Sequence, residues 1–589
     1  MLHTFHIPVL GLGYSIDTPL KVSRYGISSV LSIVDDDLIE RVHGYHCRTN
    51  NLPYTPILKT ETDSRAKRIK SYLNFLADAI NKQFEDLKQL DFEKGNDLCR
   101  YFEFLPSGSS LRNGYELMMD EADGIAKERF KRILKQQMKM GAIDVNIMAK
   151  VDRMAQAVPT IPDEVNSDAL AALRGFAESK LQSSLVLSAG MNPRLYQYIS
   201  TFPDFFPDTK GVFRKKIILK VSDFRSAIIQ AKFLAKKGLW VSEFRIESGL
   251  NCGGHAFATA GYLLGPILEE FKQKRKVMLE ELFNIYTNTL GPSTYFAAAP
   301  AQRITAQGGI GTAEEHQFLL RHYGLDAIGW GSPFLLVPEV TNVDHETLVA
   351  LQQAKADDFY LSNASPLGIQ FNNFKNSSSE KQRLVRIKER KPGSPCTKKL
   401  LCTNTEFTDE PICTASRKYQ HQKIKQLQSL DLSEAAYQKE FDFITEKICL
   451  CEGLCTSTYL KYKITKPKTS TAVAICPGPN LAYFSSNYLL EEMVAHIYGR
   501  LDLLENVNRP HVFIKEISLY MAYLQGEFRQ LYDNFSAKKK QYTEQFRDQL
   551  QQGIAYYRLL FIQIALNTSW PINEIQQELH HFSATLATL

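Results

Sequence analysis

The sequence predicts an α/β fold, a TIM-type (β/α)8 barrel with a large helical insertion and a mainly helical C-terminal region. Three observations predict it. Short β-branched or aromatic runs alternate with helical segments, two glycine-rich loops follow consecutive strands, and a long, charged, helically periodic stretch interrupts the alternation early. Repeated βα units favour a parallel sheet covered by helices, which can be a closed barrel or an open doubly wound sheet.

Length and composition limit the class of protein. The 589 residues exceed what one hydrophobic core normally supports, and 44% hydrophobic with 23% charged residues is typical of a globular protein. A net charge of +6 gives little reason to expect nucleic acid or a membrane as partner. Without a basic leader segment or a membrane-length apolar run, we expect a cytoplasmic protein that acts on a small molecule. The oligomeric state is not predicted.

The first elements read as strand, turn, short helix, strand. An apolar run from His6 to Gly13 ends in Gly-Leu-Gly, and Asp17-Thr18-Pro19 is a helix-start signal. A second apolar run, Ser28 to Val34, follows at once. This spacing is typical of a right-handed parallel crossover.

The charged stretch from Asp35 to Lys180 is predicted to be a helical insertion. Ser64 to Leu90 and Tyr115 to Met140 have helical periodicity, and the basic run Lys127 to Lys139 is better explained as a solvated helix face than as an anion site. A barrel needs its third strand within or beside this stretch. We expect it at Cys99 to Leu105.

The alternation then resumes and runs to the end of the barrel. Its predicted strands are Ser184–Ala189, Lys216–Val221, Trp240–Ile246, Arg303–Gln307 and Asp326–Trp330, with helices at Asp223–Lys237 and Thr312–His322. The predicted domains are a barrel (1–38 and 181–373), the insertion (39–180), a cysteine-bearing region (374–480) and a helical C-terminal region (481–589). The third region opens with a polar linker, Asn376 to Glu380, and the last contains an amphipathic helix, Tyr542 to Leu566.

Two glycine loops on consecutive strands predict a phosphate site. One strand ends in Gly308-Gly309, where backbone N–H groups can approach an anion, and a helix beginning near Thr312 directs its positive end there. The next strand ends in Gly331-Ser332, and TIM barrels commonly bind phosphate at their last two loops. The alternatives are tight βα turns without a ligand, or a dinucleotide loop.

A third loop carries a candidate for proton transfer. It reads Ser248-Gly-Leu-Asn-Cys-Gly-Gly-His255 and follows the strand Trp240–Ile246, at the barrel end where enzymes of this architecture keep reactive groups. A histidine there can move protons near neutral pH. The alternative is a structural histidine whose hydrogen bonds are satisfied within the fold.

These loops resemble one family. The segment G-L-N-C-G-G-H is similar to the G-A-E-A-G-G-H loop of nitronate monooxygenases and flavin-dependent enoyl reductases, and A-Q-G-G-I-G with G-W-G-S-P-F is similar to their phosphate loops. The opening P-V-L-G-L-G-Y-S-I-D-T-P is similar as well, and the resemblance extends to about Glu339. The segment Ser362 to Gly368 also resembles the glutamate synthase FMN barrel, without that family's cluster cysteines.

The resemblance implies FMN as cofactor and His255 as catalytic base beside the flavin. The cofactor-binding residues that it implies are Gly11, Leu12, Gly13, Lys220, Asn251, Gly253, Gly254, Gln307, Gly308, Gly309, Gly331 and Ser332. The implied reaction is nitronate oxidation. The alternatives are enoyl-thioester reduction, a flavin-free barrel that binds a phosphorylated metabolite, and a scaffold protein.

Three departures from the family pattern affect the substrate more than the fold. Gly11 and Gly13 replace a glutamine and a proline, Asn251 replaces a glutamate, and the family has no insertion like 39–180.

The cysteines between 396 and 476 suggest a metal. Thiolates near glycine and proline can ligate zinc or an iron–sulfur cluster, although no standard spacing is present. Buried free thiols are the alternative. The predicted ligands are Cys396, Cys413, Cys449 and Cys451, with Cys402 and Cys455 as alternates.

Overall fold

The barrel closes with eight parallel strands in chain order, β1 pairing with β8. The computed structural model describes residues 2–148, 151–154, 162, 165–188, 190–291, 296, 298–467, 469–533 and 535–589. The barrel strands are β1 Phe5–Ile7, β2 Ser28–Ser32, β3 Ile143–Ile147, β4 Ser183–Leu187, β5 Lys215–Val221, β6 Val241–Glu247, β7 Arg303–Gln307 and β8 Ala327–Gly329. A separate antiparallel pair consists of β9 Phe359–Ser362 and β10 Phe371–Phe374.

Helices surround the barrel and cover its mouth. In the first half of the chain they are α1 Thr18–Val22, α2 Asp36–Thr49, α3 Ser64–Gln89, α4 Asp97–Glu103, α5 Ser110–Asp120, α6 Ile125–Gln137, α7 Asp168–Ala177, α8 Pro193–Ile199, α9 Phe224–Ala235 and α10 Leu264–Leu290. In the second half they are α11 Ala313–Tyr323, α12 His345–Gln352, α13 Ser378–Lys388, α14 Arg417–Gln428, α15 Glu434–Thr445, α16 Leu450–Tyr462, α17 Leu490–Ile497, α18 Val512–Asp533, α19 Ala537–Ile564 and α20 Ile572–Ala587.

Alternation along the strands divides the barrel interior into layers. Val30, Val186 and Ile218 form an apolar cluster separate from the main core. Two residues further along these strands lie Ser32, Ser188 and Lys220, which face the mouth. At the level of this apolar cluster, β3 and β6 contribute a buried ion network in which Arg245 pairs with Asp144 and Glu243. Polar residues continue from there to the C-terminal ends of the strands, where barrel enzymes bind ligands.

The third strand is not where the sequence predicts it. Cys99 to Leu105 belongs largely to α4, where the Asn96 side chain caps the helix by accepting a hydrogen bond from Cys99 N. The strand is Ile143–Ile147, which pairs with β2 and β4 and lies within the range predicted as insertion. It is only five residues long, alternates polar and apolar residues, and lies in a stretch whose dominant pattern is helical.

Other boundaries differ in detail. Tyr115 to Met140 forms two helices, α5 and α6, instead of one, and the basic run lies on α6. The end of the predicted strand at Ala189 lies outside the described residues. Asn376 to Glu380 is no linker, because the Ser377 side chain accepts a hydrogen bond from Glu380 N and caps α13.

The regions after β8 pack onto the barrel mouth. The buried helix α16 lies against the opening loop, where Gly13 N donates to the Leu454 carbonyl oxygen at 3.1 Å. Lys398 pairs with Asp35, the residue that caps α2 directly after β2. No helix in the described parts of the chain combines the length and apolarity needed to cross a bilayer.

Candidate functional site

A cavity of about 1120 Å³ lies at the C-terminal mouth of the barrel. This is slightly larger than the roughly 300–1,000 Å³ typical of small-molecule sites. Polar residues from six strand ends form its base, which we call the polar floor: Ser32, Asn146, Ser188, Lys220, Glu247 and Gln307. All of the predicted catalytic and cofactor-binding residues line the cavity, except Gly13.

The opposite wall comes from residues after β8 and is mainly apolar. We call it the apolar cover: Leu367, Leu400, Leu401, Phe443, Leu450, Leu454, Tyr523 and Tyr542. The sequence predicts the cysteine-bearing and helical C-terminal regions without indicating that they line the site. Only long-range packing brings them there.

The loop after β7 requires its glycines. Gly308 and Gly309 have φ values of +116° and +82°, a region that L side chains rarely adopt. A Cβ atom on Gly309 would lie 2.0 Å from Nδ2 of Asn251, and one on Gly308 would lie 2.7 Å from Sγ of Cys252. The loop backbone therefore packs directly against the loop after β6.

Arg509 and Asn480 hold this loop from outside the barrel. Arg509 Nη2 donates to the Gly309 carbonyl oxygen at 2.6 Å, and Asn480 Nδ2 donates to the Ile310 carbonyl oxygen at 2.9 Å. Because a trans peptide places C=O and N–H on opposite sides, the Ile310 N–H points away from Arg509. This arrangement leaves a backbone donor available for a ligand of the loop.

A buried ion pair fixes Arg509 itself. Its Nη1 atom lies 2.7 Å from Oε1 of Glu315, whose other oxygen accepts from Gly311 N at 2.9 Å. Burial would raise the pKa of Glu315, but the Arg509 guanidinium outweighs this effect and holds the pKa below its ordinary value. Each of the three guanidinium nitrogens thus donates a hydrogen bond to the protein, Nε to Asn480, Nη1 to Glu315 and Nη2 to Gly309.

The segment 475–480 bridges the loops after β6 and β8. Gly254 N donates to the Cys476 carbonyl oxygen at 3.0 Å, and Gly478 N donates to Ser332 Oγ at 2.7 Å. A Cβ atom on Gly253 would lie 2.5 Å from the Cys476 oxygen. Gly253 is therefore needed for close packing of the chain, while the Ser332 hydroxyl keeps its proton available for another acceptor.

Asn251 carries a buried amide without a partner. Its side chain is 2% exposed and lines the cavity, and neither Nδ2 nor Oδ1 makes a hydrogen bond to another described residue. Buried polar groups are nearly always hydrogen-bonded, because leaving one unpaired costs about 1–3 kcal/mol. The amide therefore indicates a ligand that supplies both an acceptor and a donor.

Three residues of the polar floor interact with one another. Lys220 Nζ lies 3.1 Å from Glu247, and Gln307 Nε2 donates to the same carboxylate at 2.5 Å. The sequence argument missed Glu247, although it is the last residue of β6 and its position at a strand end was the available signal. Glu247 offsets the charge of Lys220 and fixes the orientation of the Gln307 amide.

His255 lies in the cavity wall, where Ser365 and Phe371 contact its ring. Nε2 is 2.7 Å from Ser365 Oγ, and the imidazole packs edge-on against Phe371 with the ring centroids 5.1 Å apart. Ser365 is fully buried and its Oγ also accepts from Leu367 N at 3.2 Å. The segment that resembles the glutamate synthase barrel thus positions the histidine.

Gly13 has a packing position instead of a place in the cavity. A Cβ atom there would lie 2.5 Å from Oγ1 of Thr458 on α16. Gly11 and Leu12, the two residues that precede it in the same loop, do line the cavity. The loop therefore turns from the cavity wall to the surface that contacts α16 within these three residues.

The predicted metal ligands do not converge on one site. Among the described residues, no three His, Cys, Asp or Glu side chains are arranged to hold a metal ion. Cys449 precedes α16 and borders a small separate cavity with Cys396, whereas Cys451 lines the main cavity. Residues two apart on a helix face different directions, which separates this pair. Cys396 does interact with the Cys413 thiol, so part of the predicted set is close together, but Cys451 lies apart from it.

Of the two alternate ligands, Cys402 contacts a predicted ligand and Cys455 contacts a carboxylate. Cys402 Sγ lies 3.8 Å from Cys396 Sγ, and Cys455 Sγ lies 3.3 Å from an oxygen of Asp35. The hydrogen bond with Cys396, together with burial, raises the pKa of the Cys402 thiol. Burial likewise raises the pKa of Cys455, so these cysteines remain thiols near neutral pH.

Comparison with known proteins establishes no family. No family model matches the sequence, and no curated protein matches it. A solved structure of a FabK mutant from Thermotoga maritima is 11% identical with a TM-score of 0.30. The match covers 70% of this chain and 84% of the FabK chain. A solved structure of nitroalkane oxidase from Streptomyces ansochromogenes is also 11% identical with a TM-score of 0.30. The match covers 64% of this chain and 84% of the nitroalkane oxidase chain. Likenesses this weak indicate neither a ligand nor a reaction.

Proposed function

We propose that this chain is an oxidoreductase that binds FMN across the mouth of its barrel and oxidises a nitronate or a nitroalkane. The observation that carries the proposal is the buried, unpartnered amide of Asn251, which faces the cavity beside the glycine loop of β7. The resemblance of the three loops to nitronate monooxygenases supports the choice of reaction.

The residues present fit FMN. The cavity is large enough, the polar floor offers hydrogen-bond donors and acceptors to a polar ring system, and two glycine loops border one side. Arg509 at the first of these loops is engaged by Glu315 and Gly309, and Lys220 in the cavity is paired with Glu247. Backbone N–H groups and neutral side chains would therefore hold the phosphate.

The cofactor-binding roles follow from this arrangement. Gly308, Gly309, Gly331, Ser332 and Asn251 would hold the phosphate. The remaining wall of the flavin site would be formed by Gly11, Leu12, Lys220, Gly253, Gly254 and Gln307. Bound FMN supplies the hydride and electron chemistry that amino-acid side chains lack, while the protein orients the substrate and excludes water.

His255 would remove a proton from the carbon that bears the nitro group. When the imidazole gains that proton, Nε2–H donates to Ser365 Oγ, which stabilises the cation and holds the ring plane. Leu367 N fixes the Ser365 oxygen in turn. A nitronate, which has already lost this proton, would need His255 less than a neutral nitroalkane does.

One observation favours enoyl-thioester reduction as a second candidate. The apolar cover gives the cavity a largely hydrocarbon wall, with Leu400, Leu401 and Phe443 opposite the polar floor. An acyl chain could pack there. This reaction requires NAD(P)H, which nitronate oxidation does not.

Turnover assays separate these reactions. The FMN-loaded protein is given a nitronate, the matching nitroalkane, or an enoyl thioester with NAD(P)H, and the H255A variant is tested in parallel. We expect oxidation of the nitro compounds, with the nitroalkane depending more strongly on His255. Thioester reduction alone would favour the second candidate, and no turnover by a protein that retains FMN would contradict both.

A further inference from the structure

A carboxyl group from the C-terminal region lies directly behind the cavity wall. Glu516, on α18, is 1% exposed. Ser248 Oγ donates to its Oε1 at 2.5 Å, while Leu264 N at 3.0 Å and Tyr557 OH at 3.1 Å donate to its Oε2. All three donors are uncharged, so they stabilise the ionised carboxylate by hydrogen bonds and not by an opposite charge.

Ser248 is the residue that separates this carboxyl group from the cavity. It follows β6 directly and lines the cavity. It also packs under the glycine loop, since a Cβ atom on Gly308 would lie 3.0 Å from the Ser248 Cβ. A single hydroxyl group thus contacts both the buried acid and the space in which a ligand would lie.

The direction of the Ser248 hydrogen bond depends on the proton of Glu516. When the carboxyl group is ionised, the Ser248 O–H donates to it and only the oxygen lone pairs of Ser248 are available to a ligand. When the carboxyl group is protonated, its O–H donates to Ser248 Oγ and the serine proton is free to point into the cavity. Protonation of Glu516 therefore changes the Ser248 hydroxyl from a hydrogen-bond acceptor into a hydrogen-bond donor toward the ligand.

We infer that Glu516 is a positioning residue that exchanges a proton with the bound ligand through the Ser248 hydroxyl. In this step Glu516 O–H transfers its proton to Ser248 Oγ, while Ser248 transfers its own proton to an oxygen or nitrogen atom of the ligand. Two O–H bonds break, one O–H bond and one bond from hydrogen to the ligand form, and no electrons leave the system. The ligand that this step requires is a molecule with a basic oxygen or nitrogen atom at this wall. The inference rests on the proposed function only in taking this cavity as the ligand site.

The protonation equilibrium supports this geometry. Burial raises the pKa of Glu516 to about 7, so both protonation states are populated near neutral pH. The titratable groups around it are Tyr520, Tyr557, Tyr323 and Cys252, and burial raises the pKa of each well above its ordinary value. Glu516 is therefore the group in this cluster that titrates near neutrality.

The first test needs no ligand. Infrared spectra of the full-length protein as a function of pH follow the C=O stretch of a protonated carboxyl group. We expect one band that is lost as pH rises through about 7, that is absent in E516Q and that is retained in the exposed control E544Q. In S248A the midpoint should rise by about 1–2 pH units, since the ionised form loses a donor. A missing band, or a midpoint that S248A leaves unchanged, would overturn the inference.

The second test uses FMN-loaded protein. The pH profile of turnover should have a limb near pH 7 that both E516Q and S248A abolish, while E544Q keeps it. A limb that survives in both variants would overturn the relay. A protein that stays colourless with FMN but keeps the titrating band would instead contradict the proposed cofactor, so the two failures are distinguishable.

Discussion

Arg509 donates a 2.6 Å hydrogen bond to the carbonyl oxygen of Gly309, a residue 200 positions earlier in the chain. The same guanidinium forms a buried ion pair with Glu315 on the helix that follows the glycine loop. The loop that the sequence predicts to bind phosphate therefore depends for its conformation on a residue of the C-terminal region. Barrel and C-terminal region form one site, and variants of either should affect ligand binding.

Replacing Arg509 by methionine should destabilise the fold and weaken FMN binding. The variant leaves Glu315 buried without its cation, and breaking such a pair typically costs about 3–5 kcal/mol. Urea unfolding measures the loss, and the double variant R509M/E315Q should recover part of it. The exposed Arg547 is the matched control, because R547M removes an arginine that pairs only at the surface. Equal stability of R509M and R547M would contradict the account.

Two alanine variants of the glycine loops should differ sharply. Gly309→Ala places a Cβ atom 2.0 Å from Asn251 at a φ of +82°, whereas at Gly331 the nearest atom would be 3.6 Å away. Strain of this kind costs about 1–3 kcal/mol. We expect G309A to raise the Kd for FMN at least about tenfold, as measured by fluorescence titration. The effect of G331A should be smaller, because its added methyl group strains neither the backbone nor a neighbour. Similar Kd values for both variants would show that the loop conformation is unimportant.

His255→Ala should separate binding from catalysis. The ring contacts Ser365 and Phe371 in the cavity wall, whereas the phosphate is assigned to the loops after β7 and β8, so FMN retention should be nearly unchanged. Loss of a general base typically lowers the rate by about 10²–10⁴-fold, and Ser365→Ala should have a smaller effect because the imidazole remains. Steady-state kinetics and released FMN are measured on the same preparations. FMN loss with unchanged kcat of the loaded fraction would reverse the assignment.

Stability should depend on pH through Glu516. Burial raises its pKa from 4.5 to about 7, so between these pH values the folded protein binds one proton more than the unfolded chain. Stability from this group is therefore present below about pH 4.5 and falls as pH rises to about 7, by about 3 kcal/mol. The variant E516Q should lack this slope in urea unfolding measured from pH 5 to 8. An identical slope in E516Q and wild type would assign the dependence to other groups.

How much the sequence revealed depended on how local each signal was. Gly308, Gly309 and the strand before them could be predicted because an apolar run and a glycine pair determine the backbone conformation of their own short segment. The strand containing Asp144 and Asn146 was not predicted because it is short and lies among long helical stretches. Only its pairing with β2 and β4 in the closed barrel identifies it. Arg509 could not be assigned at all, since its partners are distant in sequence.

The same reasoning explains the cysteine region. Proximity in sequence suggested shared ligation, but α16 directs Cys449 and Cys451 toward different cavities. The direction of a side chain is set by its helix and by packing across the chain. Spacing alone predicts a shared site only where a known ligand motif fixes the geometry.

The most direct test of the central claim is the absorption spectrum of purified protein after incubation with FMN and removal of the free cofactor. The account predicts a retained flavin spectrum, stoichiometric FMN released on denaturation, and loss of both in G309A. If wild-type protein and G309A both remain colourless after incubation with FMN, the proposal that this cavity binds FMN is contradicted.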